Sequence, residues 1–282
     1  MYMQEITSDY LRQIIKKRQI DAYKNQFGHA LIVAGSKGKI GAGILASKAC
    51  LRSGVGLLTI SCPSGAAPIF HSAIPEVMVF EDDNAQFSTF VPNNECFSAY
   101  GIGPGLGTHE ATISALYAFL KSNNKPLVLD ADAINAIAQK PELRKFLKNC
   151  VLTPHIGEAK RLIGAWTEDN EAIEKIIHFG KETQSIVVLK GQQTKIIVPD
   201  GKVFINTTGN PGMAKAGSGD VLTGIITAFL AQGYSSVNAA VLGVYLHGLA
   251  ADLAVEKGSN YSLLASDICD FLPLAFRSVL QE

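Results

Sequence analysis

Three features of the sequence predict an α/β fold, with a mostly parallel central sheet flanked by helices on both faces and an antiparallel hairpin near one edge. Short apolar runs alternate with amphipathic or Gly/Ala-rich stretches along most of the chain. Apolar residues make up 47% of the 282 positions and charged residues 18%, a composition suited to a buried sheet and opposite to that of disorder. The polar and Gly-rich segments fall after the apolar runs, where the ligands of open α/β sheets bind.

Taken in order, ALIVAG (30–35) reads as a buried strand, GILASKACLRSG (43–54) as a helix and GLLTISC (56–62) as the next strand. SAYGIG (98–103), PLVLDAD (126–132), CVLTP (150–154) and SIVVLKG (185–191) continue the strands, with helical ATISALYAFLKS (111–122) and EAIEKIIHFGKET (171–183) between them. TKIIV and KVFIN flank Pro199-Asp200-Gly201, which predicts a hairpin at a sheet edge. Three helices then close the chain, at 218–231, 236–255 and 266–279. The most apolar tract, Val237 to Ala254, carries His247, Asp252 and two glycines, so it reads as a core helix rather than a bilayer span, and its two polar residues read as structural. No linker, repeat or low-complexity segment divides the chain, so one domain is expected.

Lys and Arg number 25 and Asp and Glu number 25, leaving no net charge to attract a polyanion, and nucleic acid is not an expected partner. The five cysteines are widely spaced and form no CxxC or zinc-spaced cluster. They read as reduced thiols. The N-terminal MYMQEITSDYLRQIIKKRQ lacks the apolar core of a signal peptide, so a cytoplasmic protein with no membrane partner is expected.

The segment with the clearest chemistry is NPGMAKAGSGDVLTGIITAFLAQG (210–233). Gly217, Ser218 and Gly219 stand where a loop becomes an apolar helix, so free backbone N–H groups and the positive helix end converge into an anion hole. Asp220, in the first turn, fits either a cap or a catalytic carboxylate. The glycines on both sides of Ser218 favour catalysis, because close phosphate approach needs them and a cap does not. There is no Walker A motif, since Gly38-Lys39 is followed by Ile40. Asp130 and Asp132 end another strand; one suits a helix cap and the other a ligand hydroxyl or hydrated cation. His155 and Glu158 lie at the start of a further helix. Lys190, Gly191, Gln192, Gln193 and Thr194 close a strand, with the lysine suited to a nucleotide phosphate.

Together NQFGHALIVAGSKGKIGAGILASKACLRSGVGLLTI, PEVMV, GIGPGLG, DADAINAIA, TPHIGEAKRL, VVLKGQQT, the 206–233 block and VYLHGLAADLA resemble the ADP-dependent NAD(P)H-hydrate dehydratases, from about Asn25 onward. The resemblance implies a ribokinase-like domain over 25–282, preceded by an extension over 1–24. It implies a metabolite-repair lyase that returns the S epimers of the hydrates NADHX and NADPHX to NADH and NADPH at the expense of ADP or ATP, with Mg²⁺. By matching motif, Ala42, Gly105, His155 and Asp220 line the hydrate. Lys190 to Thr194 with Gly219 hold the nucleotide, and Glu158 organises Mg²⁺ through water. His155 stands where related kinases carry Asn, which argues against the alternative of a ribokinase-like small-molecule kinase. A homo-oligomer is expected. The 24 residues ahead of the matching segment are too few for a further domain, so a dehydratase dependent on a separate epimerase is expected.

Overall fold

The computed structural model describes residues 2–281. Its strands are β1 (Tyr2–Glu5), β2 (His29–Val33), β3 (Leu57–Cys62), β4 (Met78–Glu81), β5 (Ala99–Ile102), β6 (Leu127–Leu129), β7 (Cys150–Leu152), β8 (Ile186–Leu189), β9 (Lys195–Ile197) and β10 (Lys202–Ile205). The helices are α1 (Ser8–Ile14), α2 (Ile40–Arg52), α3 (Ala67–Ala73), α4 (Glu110–Ser122), α5 (Ala131–Gln139), α6 (Ile156–Ile163), α7 (Asp169–Thr183), α8 (Ser218–Ala231), α9 (Ser236–Lys257) and α10 (Ala265–Leu280). All ten strands join one sheet in the order β1-β10-β9-β8-β7-β6-β5-β2-β3-β4. Only the pairings of β9 with β8 and with β10 are antiparallel.

Alternation along each strand splits the core into two layers. Ala30 and Ile32 of β2 pack with Val221, Ile225 and Leu242 of the α8 and α9 side, while Leu31 and Val33 face Leu116, Ile134 and Ile176 on the other. Each fully buried Ile, Leu or Phe contributes about 1.5–3 kcal/mol. Gly224 explains how α8 settles on α2, because a Cβ there would run into the Ala46 carbonyl. The apolar α9 is long enough to span a membrane, but 72% of its most apolar window is buried within the fold. The five cysteines are free, all buried except Cys96.

One sequence expectation needs correction. The hairpin turns at residues 198–201, as its Pro-Asp-Gly motif predicts, with Gly201 at φ 94° and the Asp200 carboxylate accepting from the Lys202 N–H. It does not form the sheet edge, because β1 lies outside β10 with Tyr2 opposite Lys202 and Glu5 opposite Ile205. Residues ahead of the family-like segment also pack into the fold: β1 joins the sheet, α1 contacts α9 and α10, and Ile6 and Leu11 are fully buried. Unpaired strand edges and unburied apolar side chains are both costly, and these residues relieve both.

Candidate active site

The order of strands reverses between β5 and β2, so the carboxyl edge of the sheet opens a crevice there. The crevice is closed by the Gly35 N–H donating to the Pro104 carbonyl (2.8 Å) and the Ser36 hydroxyl donating to the Gly105 carbonyl (2.8 Å). Gly105 has φ 60°, and a Cβ on it would meet the Ala42 Cβ and the Lys39 carbonyl, each at 3.0 Å. The two residues assigned to one side of the hydrate are therefore in contact across the switch point. Asp132 forms the floor next to them, accepting from the Gly107 N–H at 2.7 Å, with the Lys39 ammonium 3.8 Å away.

Next along the edge is Asp130, one of the two aspartates that the sequence suggested as a helix cap or a ligand for a hydroxyl or hydrated cation. It occupies the N-cap position of α5 without a side-chain cap bond. Its carboxylate, 1% exposed, accepts from the Lys190 ammonium and from the Thr223 hydroxyl, each at 2.8 Å. Gly103 permits this arrangement, since any side chain there would strike the Asp130 carbonyl. The following residue, Ala131, is held at φ 45°, a strained conformation for alanine.

Over this ion pair lies the first turn of α8. Gly217 begins the helix at φ 93° with no capping side chain. Among the described residues, no protein group accepts from the N–H groups of Gly217, Ser218 and Gly219, the expected anion hole, or from that of Asp220, so free donors gather at this turn. A Cβ on Gly219 would lie 3.1 Å from the Lys190 ammonium, which places that cation beside the hole. The Asp220 carboxyl has no hydrogen bond or ion pair among the described residues, so it is not a cap bonded to the helix. Burial, then repulsion from Asp130, pushes its pKa up to about 7, against the pull of Lys190. Lys190, held between Asp130, Glu158 and Asp220, has its pKa raised despite burial, so it remains a cation.

A cavity of about 920 Å³ opens from this point, walled by residues 190–194, by the 206–216 loop and by α8 and α9. Lys190, Gly191, Gln192, Gln193, Thr194, Ser218 and Gly219 all line it, so the proposed nucleotide segment and the anion hole share one space. His155 also faces it, while its Nδ1 accepts from the Gly157 and Glu158 N–H groups as the N-cap of α6. Glu158 returns the capping box by accepting from the His155 N–H at 2.8 Å. Ala42 and Gly105 are not among the residues lining this cavity.

Three contributors were missed in the sequence. Lys215, on the loop before α8, lines the cavity and is tied to the Tyr261 carbonyl at 2.6 Å. Asp252 accepts from the Gly209 N–H (2.8 Å) and the Asn210 amide (2.9 Å), so it anchors the cavity loop. His247 forms part of the cavity wall itself, with its Nε2 3.3 Å from the Ser218 hydroxyl. The signal that could have found the last two was their position: polar side chains on an otherwise apolar helix are buried only with partners.

Among the described residues, no group of three or more His, Cys, Asp or Glu side chains is placed to hold a metal ion. Glu158 has both oxygens turned toward His155. Such a site fits a Mg²⁺ that arrives with nucleotide phosphates and keeps most of its water shell better than one held by protein ligands alone.

Replacing Gly219 by Val should weaken ADP binding by about 10-fold or more, since the branched side chain occupies the phosphate approach and presses on the Lys190 ammonium. The helical backbone there tolerates a side chain, so Tm should move only slightly. Calorimetric titration that found unaltered ADP affinity would remove the anion-hole assignment.

Comparison with known proteins agrees with this geometry. A family model described as NAD(P)H-hydrate dehydratase matches residues 30–274. An ADP-dependent (S)-NAD(P)H-hydrate dehydratase of Neisseria meningitidis is 37% identical over 90% of this chain and 87% of its own. The solved ADP/ATP-dependent NAD(P)H-hydrate dehydratase of Bacillus subtilis, co-crystallised with ATP and Mg²⁺, aligns at a TM-score of 0.85 with 30% identity, covering 98% of each chain. A ribokinase-like superfamily protein of Enterococcus faecalis aligns at 0.88 with 30% identity, covering 99% of this chain and 97% of that one. Against bifunctional NAD(P)H-hydrate repair enzymes that it also matches, the chain spans about half their length, 51–54%. With its ribokinase-like sheet, open anion hole and sequence match over most of its length, the chain belongs to the NAD(P)H-hydrate dehydratase family.

Proposed function

We propose that the chain dehydrates the S epimers of hydrated NADH and NADPH, using the terminal phosphoryl group of ADP, or of ATP, to turn the hydrate hydroxyl into a leaving group. The observation that carries this reading is Asp220: a carboxyl with no hydrogen bond, a pKa near 7, and a position beside an open anion hole. A carboxylate so placed is a base matched to neutral pH.

The strand order supports a division of the site. Lys190 to Thr194 follow β8, on the nucleotide side; Gly105 follows β5 and Ala42 follows β2, on the hydrate side; His155, assigned to the hydrate, follows β7 next to β8. Asp130 and the α8 N-terminus lie between them. Asp220 takes the proton from the hydrate hydroxyl as its oxygen bonds to the terminal phosphorus and the bond to the departing nucleotide breaks. The Ser218, Gly219 and Asp220 N–H groups and Lys190 stabilise charge on the transferring group. The C–O bond then breaks, with its electrons leaving on phosphate and the ring nitrogen supplying the lone pair. Loss of a proton from the neighbouring carbon restores the dihydropyridine. Mg²⁺, when bound with the phosphates near Glu158, neutralises part of their charge.

The test is incubation with an epimeric mixture of hydrated NADH, Mg²⁺ and either nucleotide, with chromatographic resolution of the epimers. Reduced-nicotinamide absorbance should return as the S epimer disappears, while the R epimer persists apart from slow spontaneous epimerisation. Asp220 and the donor are fixed on one face of the ring, so inversion at the hydroxyl-bearing carbon takes the oxygen out of line. Equal loss of both epimers would overturn the stereochemical reading. A phosphorylated product that accumulates would make the protein a kinase.

A further inference from the structure

His247 stands apart from the residues used so far. It lies in the middle of the apolar α9, is 7% exposed, and places Nε2 3.3 Å from the Ser218 hydroxyl of the anion hole. Its other ring nitrogen, Nδ1, makes no hydrogen bond among the described residues, although the side chain lines the cavity. A ring nitrogen without a protein partner on a residue that lines a cavity is available to a ligand.

We propose that His247 is a positioning residue for the anion hole: its Nε2–H donates to the Ser218 oxygen, which turns the Ser218 proton toward the transferring phosphoryl group. The reasoning is one of donors and acceptors. A hydroxyl has one proton and two lone pairs. If the imidazole accepts that proton, Ser218 presents only lone pairs to an anionic phosphoryl oxygen, and the contact is repulsive. If the imidazole donates, Ser218 becomes a further donor beside the free N–H groups, and Nδ1 is left as an acceptor facing a hydroxyl or amino group of the nucleotide.

The surroundings favour the second arrangement. Burial brings the His247 pKa down to about 4, opposed by a hydrogen bond at the Ser218 backbone and reinforced by the Lys190 charge. The ring is therefore neutral at working pH, with one N–H to place. The Ser218 hydroxyl is the one polar side-chain group within hydrogen-bond distance of the ring among the described residues, so it is the partner for that N–H. The apolar neighbours Leu222 and Val244 offer the ring no competing polar partner within the cavity wall.

The inference rests on the proposed phosphoryl transfer, and its test has an arm independent of turnover. Nitrogen-15 NMR of the unaltered chain with ADP at pH 7 should show a neutral His247 protonated at Nε2, its resonance identified by its loss in His247→Gln. An Nδ1–H tautomer or an imidazolium overturns the proposal whether or not the hydrate is turned over. In the kinetic arm, Ser218→Ala and His247→Leu should each lower kcat by about 10- to 100-fold, with the KM for the hydrate changed by less than about 2-fold. The double variant should be no slower than Ser218→Ala, and His247→Gln should recover most of the rate, because its amide also donates. Losses that multiply in the double variant, or normal kcat in His247→Leu, refute the positioning role. The NMR measurement reads the unaltered chain and takes its assignment from the conservative Gln variant, so a misfolded Leu variant still leaves the idea open to refutation.

Discussion

Asp220→Asn should bind ADP normally and lose turnover by about 10²- to 10⁴-fold, because the amide keeps the shape of the carboxyl and cannot take the hydroxyl proton. It should also be more stable than the parent. In the unfolded chain this carboxyl has its ordinary pKa of 3.8, and in the fold about 7. Below both values the proton is bound in either state and the group is neutral to stability. Between them the unfolded chain releases the proton and the folded one keeps it, so stability falls as pH rises through this window, and above pH 7 the full penalty is present. The variant's advantage in chemical denaturation should therefore grow between pH 5 and pH 8, reaching ~2–4 kcal/mol. In the parent, kcat/KM should rise with pH through about 7 and level off. A folded variant with near-normal turnover, or one no more stable at pH 8, would return Asp220 to an ordinary helix-terminal role.

Lys190→Met is expected to damage both fold and site. It leaves Asp130, 1% exposed, with only the Thr223 hydroxyl. Breaking a buried pair from one side costs about 3–5 kcal/mol, and the 21% exposure of the Lys190 side chain puts the expected loss at the lower end. Asp130→Asn in the same chain should recover much of that stability, since no uncompensated charge remains, but ADP binding should stay weak because the cation beside the anion hole is gone. With Lys190 removed and Asp130 intact, the Asp220 pKa should climb further, moving the rise in kcat/KM to higher pH. A pH profile unchanged in Lys190→Met would show that the two groups are not coupled. Equal stability of the single and double variants would show that the ion pair is not structurally important.

Much of this arrangement is written locally in the chain. The central strands β2, β3, β5, β6, β7 and β8 are short apolar runs, and α8, α9 and α10 begin and end within two residues of their expected limits. The anion hole needs only a glycine turn and a helix start, both adjacent in sequence. What escapes is non-local. The YMQE of β1 has no apolar alternation and becomes a strand because β10 offers it an edge. MVFE of β4, exposed on most of its length, likewise takes its conformation from β3. Lys190 and Asp130 each attracted attention alone, but their pairing joins residues 60 apart, which no spacing rule reports. His247 is concealed by its helix, whose apolar composition suggests packing and whose neighbour Ser218 lies 29 residues earlier.

The pairing of β1 with β10 has a consequence for how the molecule is made. Tyr2 meets Lys202, so β1 must wait for a partner translated 200 residues later. At ~5–20 residues per second that delay is on the order of 10–40 s. Throughout it, Ile6 and Leu11, which end with no exposure at all, have no finished core to enter. The central parallel strands can assemble progressively during that interval, but the sheet is completed only when β10 has been made and meets β1. Over that interval β1 and the residues after it are the part of the sheet open to chaperone capture, or to pairing with a neighbouring nascent chain.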